Sequence, residues 1–118
     1  MSDKKSQIKI DVDLDDQKIP ESIKWSSTDN PENKDVQECK AFILSIFDKE
    51  HKDTLRIDLW TKEMQVAEMD RFVYFTLRGI AETYNRATNN TDLANQIGKF
   101  SEFFGEEAGI LPKSDEAK

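Results

Sequence analysis
The run Ala41-Phe42-Ile43-Leu44-Ser45-Ile46-Phe47, with Thr54-Leu55-Arg56-Ile57-Asp58-Leu59-Trp60 after a polar connection, decides how this 118-residue chain folds. The second run alternates: Leu55, Ile57 and Leu59 on one side, Arg56, Asp58 and Trp60 on the other. Period two is the mark of a strand with one apolar face. The first run is ambiguous. As a helix, Val36, Cys39, Ile43 and Phe47 form a stripe, but Phe42 and Leu44 fall outside it. As a strand, Phe42, Leu44 and Ile46 line one face, and Ala41, Ile43, Ser45 and Phe47 the other. Lys49-Glu50-His51-Lys52-Asp53 has the length and polarity of a hairpin connection, so residues 38–48 are read as a strand. A strand apolar on both faces needs something covering each one.

Toward the N-terminus, Ile8, Ile10, Val12 and Leu14 alternate with Lys9, Asp11 and Asp13, a second half-buried strand. Asp15-Asp16-Gln17-Lys18 makes a turn, and Glu21 to Ser26 returns with Ile23 and Trp25 on one face. Residues 27–36 contain several turn formers and are expected to be a mobile loop, as are both termini, with order from about residue 6 to residue 111.

Beyond Val66 the period changes. Val66, Met69, Val73, Leu77, Ile80, Tyr84 and Ala87 recur at three and four residues, the stripe of an amphipathic helix. Asn89-Asn90 ends it, with Asn in a left-handed cap position. Thr91 is expected to cap a second helix with the stripe Leu93, Ile97, Phe100, Phe104 and Ala108, stopped by Gly109 and Pro112. The expected fold is one α+β domain over residues 1–118. Two β-hairpins form an antiparallel sheet, and two C-terminal α-helices pack on one face of it.

Composition narrows the function. Hydrophobic residues make up 36% and charged residues 35%, so a small core under a charged surface is expected, while seven Phe and two Trp oppose wholesale disorder. A net charge of -7 and a pI near 4.7 oppose general nucleic-acid binding. The start lacks the apolar segment of a secretory signal, and no run is long enough to span a bilayer. A single cysteine, Cys39, suits a reducing, cytoplasmic compartment.

Little in the sequence points to chemistry. Asp11, Asp13, Asp15 and Asp16 begin like a calcium loop, but Asp16 stands where the loop needs Gly and Ser22 where it needs Glu. His51 and Cys39 cannot supply a zinc set, and a nucleophilic Cys39 has no base beside it in sequence. The four glycines lie within or at the ends of the helical segments, so no phosphate-cradling loop is present. No catalytic residue, cofactor or metal ligand is assigned, and the chain reads as a non-enzyme.

The string Leu55 to Met64 with Val66, Glu68 and Met69, together with Ile23-Lys24-Trp25 and Arg86-Ala87-Thr88, resembles the GldC family of gliding-motility-associated proteins of Bacteroidetes. The resemblance covers most of the chain. It departs from the family at Gln65, where Pro is expected, and at Asn89, where Gly is expected; both fit the same backbone. It implies a small accessory protein of gliding and carries over no catalytic residue.

The candidates for protein contact are Arg56, Asp58, Trp60 and Phe75. If Leu55, Ile57 and Leu59 meet the helices, Arg56, Asp58 and Trp60 face outward, either as an Arg–Asp cross-pair with Trp over the sheet edge or as a contact patch, since Trp and Arg are favoured interface anchors. Phe75 lies off the stripe of its helix, with Gly79 one turn on, a pattern expected where the second helix or another molecule comes close. The preferred reading is therefore a homo-oligomer that also contacts other motility proteins. The alternative is a small-ligand- or divalent-metal-binding domain, with a pocket lined by Trp25, Trp60 and the Phe side chains.

Overall fold
Strands β4 (Ala41–Phe47) and β5 (Thr54–Trp60) pair antiparallel in the computed structural model, with Ala41 opposite Trp60 and Phe47 opposite Thr54. The strand reading of the ambiguous segment is thus the observed one. The structure describes residues 4–29 and 35–113. Most of the expected mobility at residues 27–36 and at the termini falls on residues 30–34, 1–3 and 114–118, outside the described residues. Ser27 itself ends strand β2.

The chain divides into two compact units, Met1–Met64 and Gln65–Lys118. The first holds antiparallel strands only and the second holds two helices, the α+β order that the hydrophobic periods indicate.

In the strand unit, β1 (Ile8–Leu14) pairs with β2 (Pro20–Ser27), and β2 also pairs with a short β3 (Gln37–Cys39). The sequence reading placed Glu38 and Cys39 in one strand with residues 41–48; their separate pairing with β2 was not anticipated. Only Lys40 separates β3 from β4, so one extended stretch serves β2 with its first residues and β5 with the rest. The two ladders are consequently distinct sheets of three and two strands. Ile23, at the centre of the three-stranded sheet between Val12 and Cys39, is fully buried. On the opposite face Lys24 lies between Asp11 and Glu38, a cross-strand charge row of the favourable sign. The pairing shifts between Asp13 and Leu14, a bulge that disturbs the end of the edge strand β1.

Helix α1 (Val66–Thr88) begins with the Gln65 N–H donating to Glu68 Oε1 at 3.0 Å and ends on Asn89 at φ 59°, the left-handed cap that the Asn pair implies. Helix α2 (Thr91–Glu107) departs from expectation at its start. Its cap is Asn90, whose side-chain oxygen accepts from Leu93 N–H at 3.1 Å, while the Thr91 hydroxyl donates back to Asn85 Oδ1 at 3.0 Å. An amide oxygen one residue earlier reaches the third N–H of the helix and frees the threonine for that link. Gly109, at φ 80°, closes α2, and the N–H groups of Ile110 and Leu111 both return to the Gly105 carbonyl.

The seam between the helices also differs from the apolar stripes. Tyr74 of α1 is buried, as are Ala94, Ser101 and Gly105 of α2, a row of small residues at helical spacing. Leu93, Phe100, Val66 and Ile80, all stripe positions, are exposed. Close approach explains the choice: a Cβ at Gly105 would lie 2.7 Å from Tyr74 Cε1 and 2.9 Å from Leu111 Cδ1. Gly105 is therefore where a ring from α1 and the returning C-terminal segment share one space. Gly98 faces no such crowding, with nothing within 4 Å of its Cβ position.

This contrast predicts opposite effects of one substitution at two sites. Gly105→Ala should destabilise the protein by about 1–3 kcal/mol through overpacking. Gly98→Ala should stabilise it by up to about 1 kcal/mol through helix propensity. Urea unfolding followed by circular dichroism reads both; equal effects would refute the tight seam.

Candidate protein-contact surface
Residues directly opposite in an antiparallel ladder share a face, so the register of β4 and β5 sorts their side chains completely. Phe42, Leu44 and Ile46 join Leu55, Ile57 and Leu59 on one face, with no polar residue among them. Ala41, Ile43, Ser45 and Phe47 join Thr54, Arg56, Asp58 and Trp60 on the other. The wholly apolar face is not hidden: Leu55 is 57% exposed and Ile57 50%, and Leu44 and Ile46 are exposed too. Of Leu55, Ile57 and Leu59, the face that would turn inward if it met the helices, only Leu59 is even partly buried.

The mixed face carries three of the four expected contact residues. Arg56 Nε donates to Asp58 Oδ2 at 2.5 Å along the strand, and both side chains stay open to solvent. Trp60, two residues on, is 55% exposed. This surface therefore combines a neutralised ion pair, an open indole and the exposed rings and aliphatics of Phe47 and Ile43. Such a mixture of Trp and Arg over an apolar ground is what interface centres are made of.

Phe75 belongs to the helical unit and is not brought to the ribbon by either ladder. It is 46% exposed, its ring meeting the Tyr74 edge at 4.9 Å and the Arg71 guanidinium at 5.0 Å. Among the described residues of the helical unit nothing outside the local helix lies within 4 Å of a Cβ placed on Gly79, so the other helix makes no close approach there. An open groove of ≈ 790 Å³ lies in this unit, lined by Arg78, Glu82, Asp92, Lys99 and Glu102 among others. Its charged lining was not singled out from the sequence, because it is drawn from two helices and forms no local motif.

The strand unit holds a smaller pocket of ≈ 260 Å³ lined by Glu21, Ser22, Cys39, Thr61 and Glu63 among others. Thr61 is 3% exposed, and its hydroxyl has no hydrogen-bond partner among the described residues. Burial pushes the Cys39 thiol up from its ordinary pKa, which keeps it protonated and a poor nucleophile. His51 stands in its turn with Nδ1 3.0 Å from Asp48 Oδ2, far more exposed than packed. Among the described residues no group of three or more His, Cys, Asp or Glu is placed to hold a metal ion.

Two carboxylates fix the turns that flank this surface. Asp15 Oδ1 accepts from the N–H groups of Gln17 and Ile19 at 2.7 and 3.0 Å, and its Oδ2 lies 2.8 Å from Lys62 Nζ. Lys62 follows β5 by two residues, so this ion pair ties the end of the ribbon to the β1–β2 turn. The Lys62 ammonium first, and the Ile19 N–H next, hold Asp15 down to about 2, and Asp15 in turn raises Lys62. Asp48 is lowered likewise by the backbone N–H of His51 and by its ring.

A model of the family described as "Gliding motility-associated protein GldC-like" matches residues 20–110. Comparison with curated proteins and with solved structures finds no match.

The ion pair predicts a titration. A lowered carboxylate pKa contributes stability that is fully present above the ordinary value of 3.8 and lost as the pH falls toward about 2. Replacing the ammonium by Lys62→Met should raise Asp15 toward the usual range, though not fully, since two N–H donors remain. Carboxyl-carbon NMR titration reads this directly, and an unchanged Asp15 in the variant would show that the pair contributes nothing.

Proposed function
The chain belongs to the GldC-like family of gliding motility-associated proteins, and from that membership we propose a non-enzymatic accessory role in the gliding machinery of a Bacteroidetes cell. It works in the cytoplasm by binding copies of itself and other motility proteins. No helix among the described residues is long and apolar enough to cross a membrane, so any membrane attachment of the machinery falls to a partner in this reading.

One observation carries the proposal: the β4–β5 ribbon, whose uniformly apolar face stays half open. Its exposed aliphatic side chains, Leu44, Ile46, Leu55 and Ile57, form one contiguous apolar patch, the kind of surface that supports a contact reading. A two-stranded ribbon is at best marginal in water by itself. Covering that face removes apolar surface from water at about 25 cal/mol per Å², a gain set against the entropy of association. Exposed Phe100 and Phe103 of α2, 6.1 Å apart, add aromatic surface in the helical unit.

Light scattering at tens of micromolar is expected to find more than one copy per particle; a strict monomer would count against self-association. Trp60→Ala and Phe75→Glu are each expected to weaken assembly while changing the unfolding free energy by less than about 1 kcal/mol, as exposed substitutions do. Loss of assembly and of folding in equal measure would remove that residue from the contact surface. A pull-down from gliding cells in mild salt identifies the motility partners.

A further inference from the structure
We infer that two copies of this chain join edge to edge through β5, antiparallel and centred on Ile57, to make one four-stranded sheet from two ribbons. The inference rests on the self-assembly reading above and assigns it to the strand edge, leaving the apolar face of the ribbon to a separate contact.

The outer edge of β5 is open: among the described residues β5 is hydrogen-bonded to β4 alone. Which of its backbone groups point outward follows from the ladder. Thr61 N–H donates to the Lys40 carbonyl, and Asp48 N–H to the Asp53 carbonyl, at the two ends of the register. Hydrogen-bonded pairs alternate with non-bonded pairs in an antiparallel ladder, so Leu55, Ile57 and Leu59 turn their N–H and C=O groups toward β4. Thr54, Arg56, Asp58 and Trp60 turn theirs outward, an unpaired edge free of Pro, Lys or bulge.

The sequence of that edge is its own complement. Turned about Ile57, the segment Leu55-Arg56-Ile57-Asp58-Leu59 sets Arg56 opposite Asp58 of the other copy, and Asp58 opposite its Arg56. Leu55 meets Leu59, Ile57 meets Ile57, and Thr54 meets Trp60. Every outward backbone group finds an outward partner. The neighbouring registers that also keep the faces matched place Arg56 on Arg56 or Asp58 on Asp58, like charges directly opposed. The charges therefore select one register among the possible ones. Each protomer brings its Arg56–Asp58 pair, already formed at 2.5 Å, and the two pairs close into a four-membered alternating cluster. A two-fold axis satisfies both halves at once, as an isologous contact requires. The edge of β4, Ala41 to Phe47, carries no charge and offers no such selection.

Sedimentation velocity on the full chain tests this with two variants and their mixture. Wild type is expected to be a dimer at tens of micromolar. Arg56→Asp and Asp58→Arg should each weaken dimerisation roughly tenfold or more, since both reciprocal pairs become like-charged. An equimolar mixture should recover the dimer, because each variant then meets the opposite charge. The reversed double variant, Arg56→Asp with Asp58→Arg, keeps the pair within the protomer and should dimerise as wild type does, which separates assembly from folding. Amide hydrogen exchange gives a second readout: Arg56 and Asp58 N–H should slow with rising protein concentration while Ile57, already bonded to β4, does not change. Dimers that persist in both single variants, or a mixture that fails to re-form them, would overturn the edge contact and leave self-assembly through another surface standing. A wild type that stays monomeric would overturn both.

Discussion
The register between β4 and β5 is the constraint on which the surface chemistry of the strand unit depends. Because side chains alternate with period two, that one pairing decides three things together. It collects six large apolar residues on one face and leaves them half open. It puts Arg56, Asp58 and Trp60 on the other face. It turns the backbone of the even-numbered β5 residues outward. A slip of one residue would scatter the apolar set over both faces and break the relation between the charged pair and the strand edge. The bend at Lys40 and the ion pair between Lys62 and Asp15 both lie at the Ala41–Trp60 end of the ribbon, the end that joins the three-stranded sheet.

The two exposed strands of this unit are treated differently. β1, at the edge of the three-stranded sheet, carries Lys9, Asp11 and Asp13 and ends in a bulge, devices that discourage another strand from adding there. β5 has neither Lys nor a bulge, and its two charges cancel within the strand. The helical unit shows a parallel division. Its seam uses Tyr74 against small residues, while Leu93, Phe100 and Ile80 remain on the outside. In both units the closest packing uses few side chains: Ile23, Tyr74 and Ala94 are the buried hydrophobic residues described. Most of the large apolar side chains described stay exposed.

Much of the fold was legible because its signals are local. Alternation in residues 8–14 and 54–60, the three-and-four spacing beyond Val66, Asn89 at a left-handed cap and Gly109 at the helix end each report a backbone state within a few residues. The strand identity of residues 41–47 came from a neighbour, since only the alternation of β5 and a short polar turn resolved its double reading. What escaped was non-local. Nothing within Gln37-Glu38-Cys39 reveals that β2 takes it as a third strand. Nothing in the stripe of α2 reveals that Tyr74 prefers the Ala94–Ser101–Gly105 side, because that choice depends on how near a ring can come where there is no Cβ. That Arg56, Asp58 and Trp60 share one exposed face was legible, since a shared face follows from period two. Whether Leu55, Ile57 and Leu59 are covered was not, because alternation distinguishes two faces without saying which of them is covered.

A chain with a net charge of -7 repels its own copies at long range, so any association has to arise from short-range complementarity. The distribution of charge fits that requirement. β4 carries no charged residue and β5 one of each sign, so the ribbon strands sum to zero while the excess acid lies elsewhere in the chain. Random encounters of two acidic surfaces are thereby disfavoured, and the neutral strand edge is the region where two molecules approach without that cost. Raising the ionic strength screens the general repulsion within about 8–10 Å. It weakens an exposed Arg–Asp contact less severely once strand pairing has partly excluded water around it. Self-association through such an edge should therefore strengthen with added salt up to moderate concentrations, the opposite of what a surface held together by net opposite charges would do.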